Sequence, residues 1–195
     1  MHITHNIEQL KQHLQGLALA DAVLCPEWSY RYFSFNAHWD VNANEQMASM
    51  RDGEGSEFFL LFSDLGVAAK VFDPEMRVTL DLNIMPDSFS SFKNEVAFSL
   101  NHTSYLFWRE ITDSTWQFAP QHLDHYPHLE LITGTVEAYW QWAQDYYDLE
   151  IDFEVLAQVM TTRTISASQL AILNPELSWD DLQEDLQQIL GESTH

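Results

Sequence analysis

The sequence predicts an α+β fold: an antiparallel sheet of about five strands over residues 28–119, with an N-terminal helix and a helical C-terminal third packed on it. Three observations carry this reading. Aromatic-rich runs that alternate every second residue fill the centre of the chain. Capping residues followed by apolar positions at helical spacing mark both ends. The strands are grouped and the helices follow them, so the order is not that of a doubly wound nucleotide-binding fold.

The first helix is signalled by Asn6 with Gln9 three residues later, a capping pair. Ile7, Leu10, Leu14 and Leu17 then share one face, and the helix is expected to end near Asp21. Residues 28–39 read as a strand. Arg31, Phe33, Phe35 and Ala37 would lie on one side and Tyr30, Tyr32, Ser34 and Asn36 on the other. Residues 57–63 and 67–72 form a hairpin about Asp64-Leu65-Gly66. Pro86 suits the first turn of a short helix. A second hairpin joins residues 104–109 to 115–118 through Thr112-Asp113-Ser114.

In the last third, Thr135 caps a helix along which Tyr139, Trp142 and Tyr146 form one stripe. Residues 148–155 alternate acid and apolar residue and read as a short extended link. Asp152 caps a helix over 153–161, Ser166 caps one over 167–173, and Ser178 caps 179–190 with Asp181 at the capping-box position. The chain has no linker-like stretch and no internal repeat, so it reads as one domain, residues 1–195.

A chain of 195 residues buries roughly 70% of its unfolded surface, so it needs no metal or disulfide to fold. Cys25 is the one cysteine, which excludes an internal disulfide and a cysteine-pair zinc site. No secretory signal and no membrane-length apolar run is present, so a cytoplasmic home with no membrane partner is expected. The net charge is −22, and it is uneven. Residues 1–109 hold 14 acids and 7 bases, whereas residues 110–195 hold 16 acids and one base, Arg163. Such a surface repels nucleic acid and anionic lipid and attracts a basic protein.

Three clusters could carry function. The loop 47–59 places Arg51, Asp52, Glu54 and Glu57 before a strand, and Arg51 is a bidentate donor for carboxylates. No Gly-Lys-Ser/Thr follows, so it is not a phosphate loop. The plain alternative is a tight turn. His122, His125 and His128 have metal-like spacing, but Pro127 interrupts a helix that would carry all three. The plain reading is a polar surface loop with incidental histidines. The ladder Asp145, Asp148, Glu150, Asp152 and Glu154 fails as a calcium loop: from Asp148, position six is Phe153 rather than glycine, and position twelve is Val159 rather than glutamate. With Asp180, Asp181, Glu184 and Asp185 it reads as a solvated face or a docking surface for a basic partner. No nucleophile elbow exists, and Cys25 beside Pro26 reads as packing.

Two stretches, residues 31–73 and residues 135–186, resemble over most of the chain a family of acidic bacterial cytoplasmic proteins with no established activity. The resemblance implies a bacterial origin and a single domain, and supplies no catalytic residues. In size and charge the chain is also similar to immunity proteins that neutralise bacterial toxins. The leading expectation is an acidic protein-binding module, an immunity-type inhibitor of a basic toxin or another cationic protein, with no cofactor. The alternatives are a small enzyme or metal- or small-molecule-binding protein using the Arg51–Glu57 loop or the histidine group, and a nucleic-acid mimic. Oligomeric state is left open.

Overall fold

The strands are built from residues that fit a pleated, buried surface, and they succeed one another without crossover. In the computed structural model, which describes residues 3–76, 80–120 and 127–191 (backbone only for 127–129), they run in the order β1 to β6. The strands are β1 (Phe33–Asp40), β2 (Glu45–Arg51), β3 (Glu57–Ser63), β4 (Gly66–Phe72), β5 (Tyr105–Glu110) and β6 (Gln117–Ala119). The helices are α1 (Ile7–Leu24), α2 (Ser90–Asn94), α3 (Pro127–Thr133), α4 (Val136–Tyr147), α5 (Phe153–Thr162), α6 (Ala167–Leu173) and α7 (Trp179–Leu190). The arrangement is α+β as expected, with six strands rather than about five. Among the described residues no helix is long and apolar enough to cross a membrane.

Two compact units divide the chain. One joins Met1–Ile3 to His38–His125 and holds most of the sheet. The other joins Thr4–Ala37 to Tyr126–His195 and is mainly helical.

The sheet of the first unit is an antiparallel meander. Gln46 faces Phe62, Ser63 faces Gly66, and Gly66 faces Glu110. Gly66 sits at φ +142°, and a Cβ there would meet the Arg109 carbonyl oxygen on the neighbouring strand. Only glycine lets β4 start this close to β5. Phe59, Leu61, Ala68, Leu106 and Trp108 line one sheet face, covered by Met85, Phe89, Phe92 and Phe98 from the connection between β4 and β5. Pro86 precedes the 3-10 turn Asp87–Phe89, which leads directly into α2.

In the helical unit, α1 is the element the others surround. From Leu14 to Leu24 every residue is buried. It begins on the Asn6–Gln9 capping box but runs three residues past Asp21, because an all-round buried helix has no polar face to mark its length. Gly16 lets α1 approach α5 closely, since a Cβ would lie 2.6 Å from the Met160 carbonyl oxygen. Gln15 donates to the Ile189 carbonyl and Asn174 to the Val23 carbonyl, tying α1 to α7 and to the end of α6.

Two further expectations need correction. Residues 28–30 form a 3-10 turn rather than the start of a strand, and Tyr30 and Trp28 are exposed. Residues 45–51 are a strand, β2, where a glycine-rich loop was expected to begin; only residues 52–56 form the loop.

Candidate functional site

Asp21 is the charged residue most completely enclosed in the helical unit. It is fully buried on α1. Its Oδ2 accepts the backbone N–H of Tyr32 at 3.0 Å and of Phe33 at 2.6 Å, and its Oδ1 accepts the Tyr139 hydroxyl of α4. The ion pairs among the described residues do not include it. Burial pushes the Asp21 carboxyl up to about 6, against the opposing pull of Tyr139, the Phe33 amide, Tyr147 and the Tyr32 amide. Burial and the neighbouring Asp21 charge in turn hold both phenols well above the usual tyrosine range.

Aromatic rings enclose this carboxylate. Tyr32 lies 4.5 Å from Trp142 and 5.1 Å from Tyr146 between ring centres, and Trp142 stacks on Tyr146 at 4.8 Å. The expected stripe Tyr139, Trp142, Tyr146 therefore exists, packed against the segment that enters β1. Cys25, one residue past α1, is a free thiol whose pKa is raised, first by burial and then by Asp21. A thiol held protonated in this way is a poor nucleophile. His13 is stacked on His5 at 5.6 Å, and its Nε2–H donates to the Leu131 carbonyl at 2.9 Å. Burial lowers the pKa of His13.

The strand unit has its own buried charge. Lys70 on β4 is fully buried, and its ammonium donates to Glu57 Oε1 at 2.6 Å and to the carbonyls of His102 and Ser99 at 3.0 and 3.5 Å. It lies 5.4 Å above the Phe59 ring and 6.0 Å from the Phe72 ring. Glu57, read from sequence as a ligand for a partner, is thus held by Lys70. Arg51 lies over the same aromatic ring as Lys70, with its guanidinium 5.6 Å from the Phe59 ring centre. Asp52 spends one oxygen on the loop itself, accepting the N–H groups of Glu54, Gly55 and Ser56 at 2.8, 2.9 and 2.9 Å. Glu54 is exposed.

The acidic residues of the last third divide into two kinds. Asp152 caps α5, Asp181 accepts the hydroxyl of Ser178, the cap of α7, and Asp185 is held bidentately by Arg31, whose other donors reach the carbonyls of Cys25 and Pro26. These have local structural work. Asp145, Asp148, Glu150, Glu154, Asp180 and Glu184 are exposed, and the ion pairs among the described residues engage none of them. Residues 145–154, the corner from α4 into α5, concentrate four of these together with Tyr146 at 44% exposure and Leu149 at 40%.

His122 and His125 lie outside the described residues, as does the side chain of His128. Among the described residues no three His, Cys, Asp or Glu side chains gather to hold a metal ion. Asp21, Tyr139, Tyr147 and Lys70 were missed from sequence. The available signal was a single charged residue inside an apolar run: Asp21 in LALADAVL and Lys70 in VAAKVF. Compared with known proteins, the chain matches no family model, no curated protein and no solved structure.

Proposed function

We propose that this chain is a protein-binding module that docks a cationic protein, with the α4–α5 corner as its principal contact. The supporting observation is the composition of that corner. Five acids (Asp145, Asp148, Glu150, Asp152 and Glu154) surround two partly exposed apolar side chains, Tyr146 and Leu149. An aromatic anchor inside a polar rim is the usual anatomy of a binding surface. Tyr146 is held against Trp142 and Tyr32 before any partner arrives, so little side-chain freedom remains to be lost. The acids speed encounter with a basic surface, and their effect falls with salt. An immunity-type inhibitor of a basic toxin is the form of this activity that the acidity best suits.

Affinity capture of the tagged chain at about 50 mM and about 500 mM salt tests the reading, where Debye lengths differ several-fold. A stoichiometric basic protein should bind at low salt and leave at high salt. The variant Asp145→Asn/Glu150→Gln/Glu154→Gln should retain at most about a fifth of it, since each rim charge contributes a few tenths to 1 kcal/mol. Tyr146→Ala should weaken capture at both salts. Equal retention by the neutralised variant would remove this corner as the contact.

A further inference from the structure

We infer that the strand unit carries a second docking surface, a row of three aliphatic turn tips, for a cationic amphipathic segment of a protein partner. Val41 is 72% exposed, Leu65 53% and Ile111 61%. Each sits in the connection between two strands: Val41 between β1 and β2, Leu65 between β3 and β4, Ile111 between β5 and β6. In a meander, alternate connections fall at the same end of the sheet. The register places these three side by side, and two hydrogen bonds join them. Asn44 Nδ2 donates to Asp64 Oδ1 at 2.8 Å, and the Ile111 N–H donates to the Leu65 carbonyl at 2.9 Å. Each tip is two strands from the next, so the row is roughly 20 Å long at about 4.8 Å per strand.

Single exposed aliphatic residues need no explanation, but a tied row of three does. Turns ordinarily take polar residues, and none of these turns requires an aliphatic one. The flanking side chains decide the occupant. Asp40, Asp64, Glu110 and Asp113 flank the row. Asp40 accepts only the amides of Asn42 and Ala43, Asp64 the Asn44 amide, and Glu110 the Ser88 hydroxyl. The ion pairs among the described residues leave all four charges uncompensated. Arg109 is the nearby base; it is turned over the Trp116 ring and onto the Asp113 carbonyl. An apolar row with an acidic rim selects a basic segment with an apolar stripe. It disfavours an anionic lipid surface and a second copy of a chain with a net charge of −22. A helix of about 13 residues would span the row at 1.5 Å per residue.

The surface is separate from the α4–α5 corner, and one titration distinguishes them. The probe is a fluorescent 14-residue Leu/Lys peptide with its leucines on one helical stripe. A scrambled peptide of the same composition is the control. The parent chain should bind the striped peptide more tightly than the scrambled one at about 50 mM salt. Val41→Ser/Leu65→Ser/Ile111→Ser should lose that preference by at least about tenfold, with an unchanged melting temperature. Asp145→Asn/Glu150→Gln/Glu154→Gln should keep it. A nitroxide on the striped peptide should broaden the methyl signals of Val41, Leu65 and Ile111 in the parent chain, a reading that needs no variant. Equal binding of both peptides, an unaltered preference in the serine variant, or broadening confined to Tyr146 and Leu149 would overturn the proposal. So would self-association, or retention on phosphatidylcholine vesicles, that the serine substitutions abolish.

Discussion

Asp21→Ala is expected to destabilise the helical unit by about 3 kcal/mol at neutral pH and by more in acid. The alanine removes the carboxylate that accepts from three buried donors: the Tyr32 and Phe33 amides and the Tyr139 hydroxyl. Each costs about 1–3 kcal/mol. At neutral pH this is partly offset, because the substitution also removes a buried charge. The carboxyl is raised from 3.8 to about 6 in the folded chain. Between those values the folded state holds a proton that the unfolded state has released, so stability falls as pH rises from about 4 to about 6 and is level above. The drop is about 3 kcal/mol, at 1.36 kcal/mol per pH unit. Asp21→Asn should behave differently. Its carbonyl can accept both amides and its amide can donate to the Tyr139 oxygen, so the network stays satisfied without the charge. Urea unfolding at pH 4.5 and pH 7 checks both claims. The parent should lose stability between these conditions relative to Asp21→Asn. Parallel pH dependence in the two chains would mean that Asp21 is not the titrating group.

Lys70→Ala should cost about 3–5 kcal/mol, the range for removing one partner of a buried ion pair. The ammonium serves Glu57 and two main-chain carbonyls at once, and it lies 5.4 Å from the Phe59 ring centre and 6.0 Å from that of Phe72. Burial depresses the Lys70 pKa, with the Glu57 hydrogen bond and charge pulling it back up. The pair is therefore attractive against a background of desolvation. Glu57→Gln should cost less than Lys70→Ala, because Glu57 keeps 24% side-chain exposure and the ammonium keeps its carbonyls. Lys70→Met restores the volume without the charge. Combined with Glu57→Gln, it should cost less than the sum of the two single changes, since each then removes the other's unpaired group. A double-mutant cycle by urea unfolding gives the coupling directly. Strict additivity would show that the two charges do not depend on one another.

Local signals located most elements, and distant contacts account for what they missed. Asn6, Thr135, Asp152, Ser166 and Ser178 all cap the helices they preceded in sequence, since a cap is decided within four residues. The hairpin at Asp64-Leu65 is equally local. Strand β2 escaped because EQMASMR places Met47, Ala48, Ser49 and Met50 in consecutive buried positions, so the two-residue alternation is erased. The first helix was expected to end near Asp21, before Cys25-Pro26, and what holds Asp21 inside the helix is a distant contact. Its partner Tyr139 lies 118 positions away. Asp185 was read as part of a solvated face or a docking surface, and Arg31 lies 154 positions from it. The acids Asp145, Glu150, Glu154, Asp180 and Glu184, read as a solvated face or a docking surface, are exposed.

The division of the chain into units also sets an order in time. The segment from β2 to β6 is continuous, and its strands pair only with sequence neighbours, so it can close as soon as it is synthesised. The helical unit cannot. Gln15 of α1 bonds the Ile189 carbonyl of α7, 174 residues later. At typical elongation rates the residues from α3 to α7 follow the sheet by about 3–13 s. For that interval α1, apolar on every side from Leu14 to Leu24 apart from Gln15, Gly16 and Asp21, waits without the helices that will bury it. The nascent chain thus presents an aggregation-prone helix until its helical partners are made, and chaperone contact during synthesis should map to residues 14–24.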